Sequence, residues 1–352
     1  MKSLFIDELQ EGMVVGKDIY TSQGIMIISA GVVITEPIIN HLVSLGIYTV
    51  DIDDTAVVRD YVRNEKEQKE FEEFSKKYTN VEDELQNTIN KIVDRNIDRD
   101  DVERIIDSSW KMLSEEHNSY NMINLLYSMS KYSDSTYTHC MNVGMIAALL
   151  GRWLGWSKQD IKILNACGMF HDIGKLVIDR DILNKPDKLT DEEYRIIKNH
   201  TVEGYKLIKD SGLDQRIINA TIMHHERCDG SGYPFGLKGD KIDEFSKIIA
   251  IADVYDAMTA RRVYRLPICP FDVVAQFEKS GFGQFEAKYL YVFLENIVDS
   301  YLHANVRLNN GDKAEIVLIN KTRGSKPVVL TSTGRPIDLS KEPGIKIEEV
   351  YA

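Results

Sequence analysis

Residues 171–175 read His-Asp-Ile-Gly-Lys, and the interpretation of the rest of the chain depends on this short stretch. Asp172 supplies a carboxylate that can bridge two cations, and a neutral imidazole at His171 suits Fe, Mn, Zn or Ni. A lone His-Asp dipeptide is usually a helical histidine beside a surface acid. Its meaning therefore depends on the other histidines, of which the whole chain has eight.

Three further histidines lie close to predicted helices. A tandem pair stands at His224 and His225. His200 lies on a helix that opens with the capping-box spacing of Thr190 and Glu193, and it shares a face with apolar residues. A buried imidazole needs a hydrogen-bond partner or a metal, and we interpret His200 as a ligand.

Two more candidates are ambiguous when each is taken alone. His139 precedes an apolar helix that starts near Val143, and Asp253 interrupts the apolar run 248–252. An unpaired carboxylate inside such a run is costly, and cation coordination would offset the cost. Each residue is therefore either a ligand or an ordinary polar residue.

In chain order these residues are a His, a His-Asp, a His, a His-His and an Asp, an arrangement that resembles HD-domain phosphohydrolases. The chain is more specifically similar to the HD-GYP family of cyclic di-GMP phosphodiesterases. The resemblance covers roughly half of the chain, from before His139 to about residue 300, and such linked motifs are specific. It rests on the motifs at residues 171–175, 183–190, 224–234 and 252–259.

The resemblance implies two divalent metal ions, with Asp172 as a ligand of both. One ion would be held by His139, His171, Asp172 and Asp253, and the other by Asp172, His200, His224 and His225. Some family members hold a third ion with a Glu four residues before the first histidine, where this chain has Ser135. We therefore expect a dinuclear site. Family analogy favours iron or manganese, because imidazole and carboxylate ligands alone do not select the metal.

The implied reaction is hydrolysis of cyclic di-GMP to pGpG, to GMP or to both. Two cations lower the pKa of a bridging water, and the resulting hydroxide attacks phosphorus in line. We predict Asp172 and Lys175 as catalytic residues, since the Lys175 ammonium would neutralise a phosphate oxygen in the transition state. Lys175, Arg262 and Arg265 are the predicted substrate-binding residues. Asp256 and Glu226 are expected to orient histidines.

Two other functions remain open. One is a different cyclic dinucleotide as substrate, and the other is a catalytically weak sensor or docking protein for cyclic di-GMP. Retention of all seven metal ligands favours catalysis. The family motif Asp-Arg-Pro-Tyr-Arg reads Arg261-Arg262-Val263-Tyr264-Arg265 here, so Arg261 and Val263 are departures that either alter substrate binding or are neutral.

The predicted fold class is mainly α, with a helical HD-type catalytic domain flanked by small β-rich modules at both termini. Short apolar runs separated by glycines indicate a β-rich module at 1–55, with a helix start at Thr35 and Pro37. A charged helical linker follows at 56–115, the catalytic domain at 116–304 and a β module at 305–352.

Composition and charge narrow the expected partners. The chain has 55 acidic and 43 basic residues, giving a net charge of -12, which argues against binding a nucleic-acid polymer or an anionic membrane. No signal-peptide core or membrane span is evident, and the four cysteines form no pattern, so we expect a cytoplasmic protein. The charged helices would make a homodimer if they paired between chains. The family resemblance implies that the loop Gly232-Tyr233-Pro234 offers a protein-partner surface.

Overall fold

The structure is a computed structural model of the 352-residue chain. It describes residues 2–10, 13–20, 26–28, 34, 38–39, 42–43, 46–53, 65–96, 98–115, 119–130, 135–183, 185, 188–260 and 267–351. Thr35 and Pro37, the predicted helix start near the N-terminus, lie outside these residues.

Helices make up most of the described chain, which confirms the mainly α prediction. The helices are α1 (Glu65–Val93), α2 (Arg99–Glu115), α3 (Ser119–Met129), α4 (Thr136–Trp153), α5 (Lys158–Phe170), α6 (Arg180–Leu183), α7 (Asp191–Lys198), α8 (His200–Ile208), α9 (Gln215–Met223), α10 (Glu244–Thr259), α11 (Pro270–Gln276), α12 (Phe282–Gln284) and α13 (Ala287–Asp299). A 3-10 turn at Ile173–Val177 joins α5 to α6, and a π-helical turn at Phe277–Gly281 joins α11 to α12. None of the described helices combines the length and the apolar character that crossing a bilayer requires.

Helix α4 is the centre of the helical domain. It is buried without interruption from Thr138 to Gly151, as expected for a helix that is apolar on all sides. Helices α5 and α10 pack on it, and α1, α3 and α13 also contact it. Ser135 caps its first turn, because the Ser135 hydroxyl accepts a hydrogen bond from the Thr138 backbone N–H.

Glycines allow the elements around the ligands to approach closely. A Cβ added to Gly168 on α5 would lie 2.3 Å from the backbone N of Gly144 on α4. A Cβ added to Gly174, in the 3-10 turn, would lie 1.9 Å from the carbonyl oxygen of His200 on α8. Both crossings need a residue without a side chain, and they bring the backbone at 171–172 toward α4 and α8.

Helices α1 and α2, which lie in the predicted linker, contribute side chains to the core of the helical domain. Tyr78, Leu85, Ile89 and Ile92 are fully buried in the same apolar core as α4. The apolar stripe of α1 is therefore covered within the chain, and it no longer argues for pairing between two chains. A homodimer remains a prediction.

The N-terminal strands have an apolar cluster of their own. Strand β1 (Lys2–Phe5) pairs antiparallel with β4 (Thr49–Ile52), and β2 (Ile19–Tyr20) pairs with β3 (Met26–Ile28). Side chains that include Leu4, Val15, Ile28, Leu42 and Val50 form this cluster. The small β-rich N-terminal unit is present in the described residues, as expected.

The C-terminal strands form one antiparallel sheet in the order β8-β7-β6-β5-β9. They are β5 (Asn305–Leu308), β6 (Lys313–Leu318), β7 (Val328–Thr331), β8 (Pro336–Asp338) and β9 (Ile347–Tyr351). Gly311 adopts a positive φ of 88° in the predicted turn between β5 and β6. Val306 and Leu308 belong to the core that also contains Phe293 of α13, because one face of the sheet is buried against the helices.

The contact between α4 and α5 gives a stability prediction. Gly168→Ala inserts a methyl group against the Gly144 backbone, and we expect it to lower the free energy of unfolding by about 1–3 kcal/mol. Gly283→Ala is the matched control, because a Cβ at that position meets nothing within 4 Å. Urea unfolding measures both variants. Wild-type stability of Gly168→Ala would contradict the close packing of α5 against α4.

Candidate metal centre

The structure brings the seven predicted ligand residues together at the centre of the helical domain. Their candidate ligand atoms form two groups, and within each group all atoms lie within 4.8 Å of one another. One group is His139, His171 and Asp253, and the other is Asp172, His200, His224 and His225. All are buried except His225, which is partly exposed.

Asp172 contacts both groups, each with a different carboxylate oxygen. Its Oδ2 lies 3.5 Å from His139 Nε2 and 3.3 Å from His171 Nε2. Its Oδ1 lies 3.2 Å from His200 Nε2 and 3.6 Å from His224 Nε2. A carboxylate in this position can serve one cation with each oxygen.

Asp253 also lies between the groups. Its Oδ1 is 3.1 Å from His139 Nε2, and its Oδ2 is 3.8 Å from His225 Nδ1. The resemblance had assigned Asp253 to one ion. The geometry places it beside ligands of the other group as well.

Most of the candidate ligands stand at or near the ends of helices. His171 follows the last residue of α5, and His224 follows the last residue of α9. His200 is the first residue of α8, and His139 lies in the first turn of α4. Asp253, in contrast, lies inside the buried helix α10. Helix ends therefore aim most of the imidazoles at one centre.

Hydrogen bonds fix the orientation of four imidazoles. In three of them Nδ1 donates to a backbone carbonyl three or four residues earlier: His171 to Gly168 at 2.7 Å, His200 to Ile197 at 2.7 Å and His224 to Ala220 at 3.0 Å. In the fourth, His139 Nδ1 donates to Asp256 Oδ2 at 2.7 Å. Because Nδ1 carries a proton, Nε2 of each neutral imidazole presents a lone pair to the centre.

The tandem histidines are kept neutral by their surroundings. The pKa of His224 is lowered to about 4, chiefly by burial and also by the nearby imidazoles, while Asp172 opposes the shift. Burial, followed by the neighbouring His224, also lowers the pKa of His225 well below its ordinary value. Neutral imidazole is the form that binds a metal ion.

Lys175 lies against the carboxylate of Asp172. Its Nζ donates to Asp172 Oδ2 at 2.5 Å. Burial opposes the charged form, but the carboxylates of Asp172 and Asp253 outweigh it and raise the pKa of Lys175 above its ordinary value. The lysine is therefore a cation held at the edge of the ligand cluster.

The buried donor set fits divalent metal ions. His171 Nε2 and Asp172 Oδ1 are buried without a hydrogen-bond partner. His200 Nε2 and His224 Nε2 lie 3.2 Å apart, although the Nδ1 hydrogen bonds leave a lone pair on each. A cation between such lone pairs turns a repulsive contact into coordination, and imidazole with carboxylate suits first-row metals.

Asp256 and Glu226 have different roles, although both were expected to orient histidines. Asp256 does hold His139, as described above. Glu226 instead accepts hydrogen bonds from the backbone N–H groups of Phe235 and Leu237, at 2.7 and 2.8 Å. Its carboxylate therefore anchors the loop after Tyr233, and the sequence expectation for Glu226 was wrong in this respect.

An aromatic ring and a lysine flank the tandem histidines. The Tyr233 ring stacks on the His225 ring, with centroids 4.6 Å apart. Lys198 Nζ lies 5.8 Å from the Tyr233 centroid and 4.8 Å from that of Tyr194. Lys198 was not predicted as a site residue from the sequence; its position two residues before His200 was the available signal.

Ser135, at the position where the resemblance implies a glutamate in some family members, contacts helix α1. Ser135 Oγ and Thr138 Oγ1 both donate to Glu82 Oε1 on α1, at 2.8 and 2.6 Å. Ser135 thus serves as a helix cap and as an anchor for α1. The three arginines of the sequence analysis, Arg261, Arg262 and Arg265, lie outside the described residues.

Comparisons with known proteins agree with the fold. The HD domain family profile matches residues 101–279. A cyclic di-GMP phosphodiesterase of Pseudomonas aeruginosa is 32% identical over 183 residues, which are 51% of this chain and 44% of that protein. A 3'3'-cGAMP-specific phosphodiesterase of Vibrio cholerae is 41% identical over 133 residues, which are 38% of this chain and 31% of that protein.

Among solved structures, the HDG"Y"P protein Bd1817 from Bdellovibrio bacteriovorus has a similar fold. The TM-score is 0.54 at 14% sequence identity, and the match covers 85% of this chain and 99% of that one. The chain spans less than half the length of the two curated relatives. The HD domain match implies divalent metal binding, and the clustered histidines and aspartates are residues that could hold such ions. Because the family profile covers half of its residues, the chain belongs to the HD domain family.

Proposed function

We propose that this protein is a metal-dependent phosphodiesterase that hydrolyses cyclic di-GMP to pGpG, GMP or both. The observation that carries the proposal is Asp172, whose two oxygens face two separate ligand groups. When bound, a pair of divalent ions supplies Lewis-acid activation of water and phosphate. Iron or manganese fits the imidazole and carboxylate donors. The relatives named above support the substrate class.

The chain's own residues hold the metals and stabilise the phosphate. We assign His139, His171, Asp172 and Asp253 to one ion and Asp172, His200, His224 and His225 to the other. Lys175 lies close enough to Asp172 to place its ammonium beside a phosphate oxygen, and a fixed cation there stabilises developing negative charge. Arg262 and Arg265 remain predicted substrate contacts.

A second candidate substrate is 3'3'-cGAMP, because the relative from Vibrio cholerae named above acts on it. The metal centre does not discriminate between the two, since both present the same phosphodiester. Parallel assays with both dinucleotides decide the preference. Purified protein loaded with ferrous iron or manganese is incubated with each, and the products are followed by chromatography. Metal binding without turnover of either would favour the sensor function. A homodimer and a protein partner at the 232–234 loop also remain predictions.

Asp172→Ala tests the metal assignment. The variant removes the carboxylate that faces both ligand groups, so we expect loss of turnover together with depletion of bound metal. Turnover is measured by chromatography and metal content by elemental analysis. Asp240→Ala is the control, because Asp240 is exposed and pairs with the neighbouring Lys241. Wild-type activity of Asp172→Ala would rule out this metal site.

Lys175→Ala tests the proposed phosphate contact. We expect kcat to fall about 100-fold, the usual loss when one charge-stabilising donor is removed from a transition state. Bound metal should be retained, because the seven proposed ligands are unchanged. Lys206→Ala serves as a control, since Lys206 is exposed and pairs with Glu203. Loss of metal from Lys175→Ala would assign the lysine to ligand support instead.

Lys198→Gln tests whether Lys198 binds the second phosphate of the substrate. Lys198 is a partly exposed cation beside the Tyr233 ring, and no ion pair with a carboxylate is found for it within the described ranges. We expect the variant to raise the KM for a cyclic dinucleotide about tenfold, because it loses a charged hydrogen bond to the second phosphate. Hydrolysis of bis(p-nitrophenyl) phosphate, which has one phosphate, should be unchanged. Equal effects on both substrates would refute this role.

A further inference from the structure

Helix α1 reaches the metal centre through a fully buried tyrosine. Tyr78 is 0% exposed, and its hydroxyl donates to Asn142 Oδ1 at 2.8 Å, with the Thr138 carbonyl oxygen at 3.1 Å. Both acceptors belong to α4, within one turn of His139. Four residues after Tyr78, Glu82 accepts from Ser135 and Thr138 at the start of α4. Two polar contacts on the same face of α1 therefore hold the first turns of α4.

The hydrogen bonds continue from Asn142 to His139. Asn142 Nδ2 donates to Asp256 Oδ1 at 2.9 Å, and the other oxygen of Asp256 accepts from His139 Nδ1 at 2.7 Å. All of these side chains are buried. The series therefore runs from α1 through α4 and α10 to an imidazole whose Nε2 faces Asp172 and Asp253.

The direction of each bond in this series follows from chemistry. The Asn142 amide oxygen cannot donate, so Tyr78 must be the donor, and this leaves the amide nitrogen facing Asp256. With the amide reversed, its oxygen would face a carboxylate oxygen and its nitrogen would face the Tyr78 hydroxyl. Tyr78 thus favours the amide orientation in which Asp256 accepts a hydrogen bond at each oxygen, one from Asn142 and one from His139 Nδ1–H.

We propose that Tyr78 is a positioning residue for the metal ligand His139 and acts on it through Asn142 and Asp256. The inference rests on the ligand role given to His139 under the proposed function. Residues that orient metal ligands tune metal affinity as well as geometry. Since α1 precedes residue 101, where the family match begins, this support comes from a segment outside the matched domain.

The test is metal affinity in the full chain. Manganese(II) binding is measured by competition with a fluorescent chelator for wild type and Tyr78→Phe, which keeps the ring and removes the hydroxyl. We expect the variant to bind manganese about tenfold more weakly, at the lower end of the range for residues behind a ligand. Wild-type affinity in Tyr78→Phe would overturn the inference.

Tyr301→Phe is the matched control for a general loss of stability. Tyr301 is 1% exposed, and its hydroxyl bonds to that of Tyr255 at 2.9 Å, outside the series that leads to His139. Urea unfolding should show a similar loss of stability for both tyrosine variants, with manganese affinity reduced in Tyr78→Phe alone. An equal loss of affinity in Tyr301→Phe would mean that Tyr78 acts through overall stability, and would overturn the proposal.

A double variant tests the route. Asn142→Ala should weaken manganese binding at least as much as Tyr78→Phe, and adding Tyr78→Phe to it should cause no further loss, because the connection is already broken. Additive losses would overturn the route through Asn142. If Asn142→Ala does not fold, the comparison of Tyr78→Phe with Tyr301→Phe decides alone. Manganese binding without dinucleotide turnover in wild type would refute the proposed function and leave this inference intact.

Discussion

The carboxylate of Asp172 is the group on which the arrangement of the helical domain depends. It is completely buried, and its two oxygens face two different sets of imidazoles. A buried charge is destabilising unless it is compensated. Cationic or metal-binding side chains of the surrounding elements must therefore lie on both sides of this carboxylate. Gly168 and Gly174 make this arrangement possible, because they allow α5 and the following turn to lie directly against α4 and α8.

The residues that cluster at the centre of the helical domain could be selected from the sequence because their chemistry is unusual for their surroundings. A histidine on an apolar helix face, as at position 200, and an aspartate inside an apolar run, as at position 253, are conspicuous. The mainly α fold and the turn at Gly311 also followed from local pattern. His139 and Asp253, each ambiguous when taken alone, were predicted as ligands only when the linked motifs were considered together.

The parts that were not predicted depend on contacts between distant segments. Tyr78 and Asn142 are ordinary residues for their helices, and 64 positions separate them, so no local pattern connects them. The charged composition of residues 56–115 suggested a linker, although the apolar stripe of α1 is buried in the shared core. Glu226 was misassigned for a similar reason, since its backbone partners lie 9 and 11 residues away in an irregular loop.

The acceptors that hold the imidazoles differ in how mutation can reach them. Main-chain carbonyls hold His171, His200 and His224, and no single substitution can delete a carbonyl. The orientation of these ligands is therefore robust to genetic change as long as the helices form. His139 instead depends on the side chain of Asp256. Substitution of Asp256 can thus change the orientation of His139, while His171, His200 and His224 keep theirs.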